Sequence, residues 1–233
     1  MGAASPAPGL TGGASRTHHR GVDRWTPWRI VRAASIVVVL VAIVTQAKVL
    51  ADAGAFDPTR FFAYFTIQSN LIGVAAFAWL VARPEGARPR GVELLRAGAA
   101  VYLTVTFFVV IALLSNVDVG LQLVWVDVVL HKIFPVIVVA DWLLDPPHVR
   151  LAYRDIATLI VYPLIWTALT MIRGAVDPAH WYPYPFLNPA NGGYGQVLVT
   201  SIAVTIAFVA ISAAIIWLGG WRRGAVATTP RPA

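Results

Sequence analysis

The sequence predicts an all-α integral membrane bundle of six transmembrane helices with both termini in the cytoplasm. Three observations predict it. The chain is 58% hydrophobic and only 12% charged, against about 25% charged in a soluble domain. Its apolar residues form continuous blocks, each close to the roughly 20 residues of helix that a hydrocarbon core requires. Its cations lie between the blocks and alternate from side to side. Backbone groups in lipid must pair internally, so only helices or a closed barrel can span. A barrel needs strands of about ten residues with alternating polarity, which the continuous blocks exclude.

Residues 1–27 are rich in Gly, Ala, Ser, Pro, Arg and His without apolar periodicity, and read as a disordered cytoplasmic tail. The six-helix domain covers residues 28–218. Its spans are expected at residues 28–50, 62–82, 96–115, 121–144, 155–173 and 195–218. Tyr162-Pro163 predicts a kink in the fifth. Residues 219–233 read as a C-terminal cytoplasmic tail. No internal repeat is present.

With the N-terminus inside, all 18 Lys and Arg except Lys48, Arg60, Lys132 and Arg173 fall on the cytoplasmic side, as the positive-inside rule asks. Trp25, Trp28, Trp79, Trp142, Trp217 and Trp221 fall near the inner boundary, and Trp125 and Trp181 near the outer. That is where amphipathic indoles partition. A second reading of the N-terminal region is a signal peptide: Arg32, the apolar run 33–44, then Ala51-Asp52-Ala53 as a cleavage site. On that reading the mature chain has five spans.

The net charge of +7 is distributed as a topology signal, so no nucleic-acid partner is expected. The absence of cysteine excludes disulfides, iron–sulfur clusters and thiolate zinc sites. Only Asp127 and His131 are placed as intramembrane ligands, and neither lysine sits on the last span. No metal, retinal-type or other cofactor is therefore expected. A small transporter is disfavoured by the missing inverted repeat. The expected location is the plasma membrane.

Ionisable groups within a span are costly and usually face a bundle interior. Asp127 and His131 are four apart and share a helix face, which continues through Phe134, Val138 and Asp141. Asp127 can thus accept a hydrogen bond from His131 and fix its tautomer. On the second span Thr66 and Asn70 share a face with Gly73 and Phe77. At 1.5 Å per residue, His131 lies about 15 Å and Thr66 about 6 Å below the outer boundary. A nucleophilic threonine needs a neighbouring base, and His131 is the one histidine within any span. Asn70, Ser69 and Gln68 are candidate oxyanion donors. Lys132 points about 100° away from His131 and, with Arg173, is a candidate partner for a fatty carboxylate. The bland alternative for Thr66 is a packing bond within the bundle, and for His131 a purely structural one. The 177–194 loop carries Trp181, Tyr182, Tyr184, Phe186 and Asn188 among Pro and Gly. It reads as a rigid lid over the cavity or, equally, as an interfacial aromatic belt.

The Phe-x-Tyr-Phe-Thr-x-Gln-Ser-Asn opening of the second span (Phe62 to Asn70) resembles a known family. So do Leu-His-Lys-x-x-Pro (Leu130 to Pro135) followed by Asp141, the Tyr-Pro of the fifth span, and the Tyr-Pro-Tyr-Pro-Phe-Leu-Asn loop. Together they resemble bacterial, especially actinobacterial, relatives of the androgen-induced and androgen-dependent TFPI-regulating membrane proteins. The resemblance runs from about Trp28 to Leu218. It implies a six-pass fold and, as in the animal members, hydrolysis of fatty acid esters of hydroxy fatty acids by a membrane-embedded Thr and His, here Thr66 and His131. The expected activity is thus lipid-ester hydrolysis among membrane lipids, the alternative being non-catalytic lipid binding or sensing.

Overall fold

A computed structural model of the chain describes residues 26–84, 86–114 and 123–228. All its regular elements are helical. Helix α1 (Thr26–Asp52) is followed by the short α2 (Pro58–Phe61) and by α3 (Phe65–Ala82). Helix α4 (Arg90–Val109) continues into a π-helical turn, Val110–Leu114. Helix α5 (Val124–Val128), a π segment Val129–Ile133 and α6 (Phe134–Leu144) follow one another without a break. A 3₁₀ turn (Tyr153–Asp155) leads into α7 (Ile156–Val176), and α8 (Gly193–Thr228) closes the chain.

Five helical stretches are long and apolar enough to cross a membrane: Pro27–Asp52, Phe65–Ala82, Arg90–Leu114, Tyr153–Val176 and Gly193–Ala225. Residues 124–144 stand apart from these because Asp127, Lys132 and Asp141 interrupt their apolar run. The expected N-terminal tail lies outside the described residues except for Thr26 and Pro27, which already belong to α1. The expected ends at Ser115 and at 121–122 also lie outside them. At the C-terminus, α8 continues through residues 219–228, where a tail was expected.

Helix α4 is the axis of the bundle and touches α3, α6, α7 and α8. Its run Ala97-Gly98-Ala99-Ala100 is fully buried. Small residues let helix backbones approach closely where lipid supplies no hydrophobic drive. Outward-facing apolar side chains such as Val44, Leu169 and Leu198 are more than half exposed, as suits contact with acyl chains. Gly73 sets the distance between α3 and α6, since a Cβ there would fall 2.7 Å from the Phe134 ring.

Two prolines reshape the helices. Pro163, inside α7, cannot donate to the carbonyl of Leu159, and the Tyr102 hydroxyl donates to that oxygen instead at 2.8 Å. Pro135 acts on the π segment. There the Phe134 N–H pairs with the Val129 carbonyl, so the next donor in register would be residue 135. Proline has none, and the Asn70 amide supplies the bond to Leu130 O at 3.2 Å.

The end of the bundle where α1 begins and α6 finishes holds an ion network. Arg32 pairs with Asp141 and Asp145 at 2.6 and 2.5 Å. Arg96 pairs with Glu93 and Asp141, both at 2.8 Å, and Arg88 with Asp145 at 2.5 Å. The Trp28 indole donates to Asp141. These arginines were read as topological flanks. Arg32 and Arg96 are also buried between carboxylates, with Arg88 half-buried beside them, because a charge leaving water needs an opposite charge beside it. Trp142, expected at the interface, is 1% exposed and lies under the Arg96 guanidinium.

Candidate functional site

Thr66 is the second residue of α3, whose first-turn N–H groups lack partners within the helix. The residue before the helix, Tyr64, makes no side-chain capping bond to them. The short α2, capped by Asp57 accepting from Thr59 and Arg60, carries the chain above this turn. The first turn of α3 therefore starts beneath cover, and Thr66 is buried. Thr66 and His131 come within hydrogen-bond distance, so the two side chains stand at one level of the bundle. His131 sits inside the π segment. An extra residue in the turn re-aims a side chain, which is why such segments recur at functional sites.

Thr66 Oγ1 lies 3.2 Å from His131 Nε2. On the other side of the ring, Nδ1 lies 2.8 Å from Asp127 Oδ1 and 3.2 Å from the Asp127 carbonyl. Both neighbours of Nδ1 are acceptors, so that nitrogen carries the proton and Nε2 presents its lone pair to Thr66. The Thr66 hydroxyl then donates to His131. Its oxygen accepts from the Tyr184 hydroxyl at 3.3 Å, and Tyr184 accepts in turn from the Thr66 N–H at 3.3 Å. Burial pushes the Tyr184 phenol up to about 12, so it remains a neutral donor.

The surrounding cavity measures about 470 Å³. Gln46 of α1, Val126 and Asp127 of α5, His131, and Tyr182, Tyr184, Asn188 and Asn191 of the α7–α8 loop line it. The loop is seated on α7: the Tyr182 ring occupies the space a Cβ on Gly174 would need, 2.2 Å away. Tyr184 stacks on Phe186 at 5.2 Å. Trp181 meets the edge of Tyr64 and lies between the guanidinium groups of Arg60 and Arg173. At Gly193, φ of +76° turns the chain from this loop into α8, a conformation glycine adopts without strain.

The structure thus brings Thr66, His131 and Asp127 together; of the residues expected in a lid, Tyr182, Tyr184 and Asn188 line the same cavity, while Trp181 and Phe186 do not. It does not do so for the expected oxyanion donors. The Ser69 hydroxyl donates to Thr66 O. The Asn70 amide bridges Thr66 O and Leu130 O. The Gln68 amide donates to Phe62 O while its oxygen accepts from Tyr162. None of the three lines the cavity: Gln68 and Ser69 are rotated away from the Thr66 face, and Asn70, on that face but one turn further along, is held between α3 and the π segment. Lys132 points outward, half exposed, with Nζ 3.9 Å from Asp127 Oδ2. Arg173 holds Thr59 through its backbone and side-chain oxygens. Neither cation lines the cavity, which leaves them poorly placed to meet a carboxylate inside it.

Sequence reasoning missed Tyr184 as a partner of Thr66, having placed it only among the lid aromatics, and missed Gln46. A tyrosine between two prolines is a signal of a rigidly presented hydroxyl, but nothing local says where it lands. Comparisons with family models, with curated proteins and with solved structures return no match.

Proposed function

We propose that the protein is an intramembrane lipid-ester hydrolase of six spans with cytoplasmic termini, in which Thr66 is the nucleophile and His131 its base. The observation that carries this reading is the aligned series Asp127, His131, Thr66 at the wall of a covered cavity. Thr104 and Thr106 donate to carbonyls of their own helix, whereas Thr66 Oγ1 meets the side chains of His131 and Tyr184.

The chemistry balances with these groups. Thr66 Oγ1 attacks the ester carbonyl carbon while its proton passes to His131 Nε2. Asp127 stabilises the resulting imidazolium. The Tyr184 hydroxyl, held by the Thr66 N–H and turning from Thr66 Oγ1 once that oxygen has attacked, is the nearby donor for the oxyanion. Collapse breaks the carbon–oxygen bond to the alcohol, which leaves with the proton from His131. Water then gives a proton to His131 and attacks the acyl-Thr66. The free acid departs and Thr66 recovers its proton.

Six spans, rather than five, follow from counting residues 124–144, whose charged groups turn inward or pair. The Lys and Arg asymmetry supports cytoplasmic termini and a place in the cell membrane. The test is labelling of the purified protein by a fluorophosphonate, together with turnover of branched fatty acid esters. Both should vanish in Thr66→Ala and His131→Ala. Labelling that persists in both variants would refute the assignment. Lipid binding without any turnover would point to a sensor.

A further inference from the structure

A second cavity adjoins the first. It measures about 60 Å³, room for about four water-sized positions in line. It lies between α4, α7 and α8, lined by Val105, Ile160, Pro163, Trp166, Val204 and Phe208 among others. Thr106, Thr167 and Thr205 also line it, yet each hydroxyl donates to its own helix, at Tyr102 O, Pro163 O and Ser201 O. The lining is therefore dry despite its threonines. Four residues belong to both cavities: Thr66, Val110, Leu114 and Tyr184. The first cavity is wet by comparison, with Asp127, His131, Asn188 and Asn191 in its wall. The reacting hydroxyl thus stands in the partition between an apolar slot and a polar chamber.

We infer that the slot between α4, α7 and α8 is a binding site for a single unbranched acyl chain, with the polar chamber receiving the alcohol half of the ester. An ester whose carbonyl meets Thr66 has two arms that must leave in opposite directions. The apolar arm gains by leaving water, by about 0.8 kcal/mol per methylene, and the slot is the apolar exit. Its flank is open towards lipid: Leu164 is 47% exposed, and Ser201 and Thr205 are half-buried. A chain can therefore enter sideways from the bilayer and extend beyond the slot. Naming the two halves of the ester rests on the hydrolase reading; the binding of a chain does not.

The test has two arms. In the first, bromostearate is titrated into the protein in lipid nanodiscs and quenching of Trp166 is read as the difference between wild type and Trp166→Phe. A saturable difference is expected. Thr205→Phe and Ser201→Phe, which fill the slot from the lipid side, should each abolish it, and Thr205→Val, which keeps the volume, should not. In the second arm, nitrophenyl acetate and palmitate are compared. Thr205→Phe should lower palmitate turnover by about tenfold or more while acetate changes by less than about twofold. No saturable quenching in the wild type, or quenching unchanged in both filled variants, overturns the slot. If the wild type turns over neither ester but is quenched saturably, the hydrolase reading fails and the chain site stands.

Discussion

The Asn70 side-chain amide donates to the carbonyl of Leu130, which Pro135 has left without a backbone partner. The same amide holds Thr66 O at 2.8 Å. One buried side chain therefore fixes the first turn of α3 against the π segment that carries His131. Asn70→Leu keeps the volume and removes the donor. The released carbonyl then loses its side-chain partner, a cost of about 1–3 kcal/mol. Thermal unfolding in detergent should show that loss, and fluorophosphonate labelling should fall with it. Unchanged stability would mean that the π segment is held by other contacts.

Asp127→Asn tests the tautomer. The amide can present either its nitrogen or its oxygen to Nδ1, so the protonated Nδ1 is no longer enforced and the imidazolium loses its counter-charge. Turnover should drop by about 10²–10⁴-fold, with the thermal midpoint nearly unchanged because Asp127 is part exposed. A drop in stability as large as that in activity would instead mark Asp127 as structural.

Much of this arrangement is legible in sequence because it is local. The face Thr66, Asn70, Gly73, Phe77 is buried, and so is the face that runs from Asp127 through His131, Phe134, Val138 and Asp141, except for Asp127 itself, which is part exposed. Periodicity gives the face of a helix but not its partner. Asn70 reads as a donor from its type, and only Pro135 on another helix decides where the donor goes. Arg32 and Asp141 are 109 residues apart. Each alone reads as a boundary charge, so their pairing needs the bundle. Tyr184 reaches Thr66 across 118 residues because Tyr182 seats on Gly174, a contact set by shape rather than by pattern.

Tyr184→Phe separates the hydroxyl from the ring. The ring keeps its stack on Phe186 and its edge contact with Tyr64, so the lid should stay folded. The Thr66 oxygen and the oxyanion lose one donor, and turnover should fall by about 10²-fold with little change in KM. A rise in KM alone would make Tyr184 a binding residue. Gly174→Ala offers the contrast, since its methyl displaces Tyr182 and should disturb substrate binding with the hydroxyl still present.

The ion network around Asp141 and Asp145 predicts a pH dependence of stability. Burial alone would raise the Asp145 carboxyl, but the Arg88 hydrogen bond and the Arg96 charge overcome it and hold the group below 3.8. Its stabilisation is present above that value and is lost as pH falls through the lower folded value. His148 works in a higher range. Partial burial, then the charge of Arg88, push its imidazole below 6.5 against the opposing pull of Asp145 and Glu93. Below 6.5 the unfolded chain binds a proton that the folded chain resists, so stability declines as pH drops through that window. His148→Gln should flatten the thermal midpoint in the range just below pH 6.5 and leave the decline at lower pH, which belongs to Asp145. Arg96→Met should be more damaging than either. It removes the cation that Glu93 and Asp141 share and leaves Glu93 only the longer ion pair with Arg88 at 3.5 Å, at a cost of about 3–5 kcal/mol. If Arg96→Met unfolds at the wild-type temperature, the network contributes little to holding α4 and α6 together.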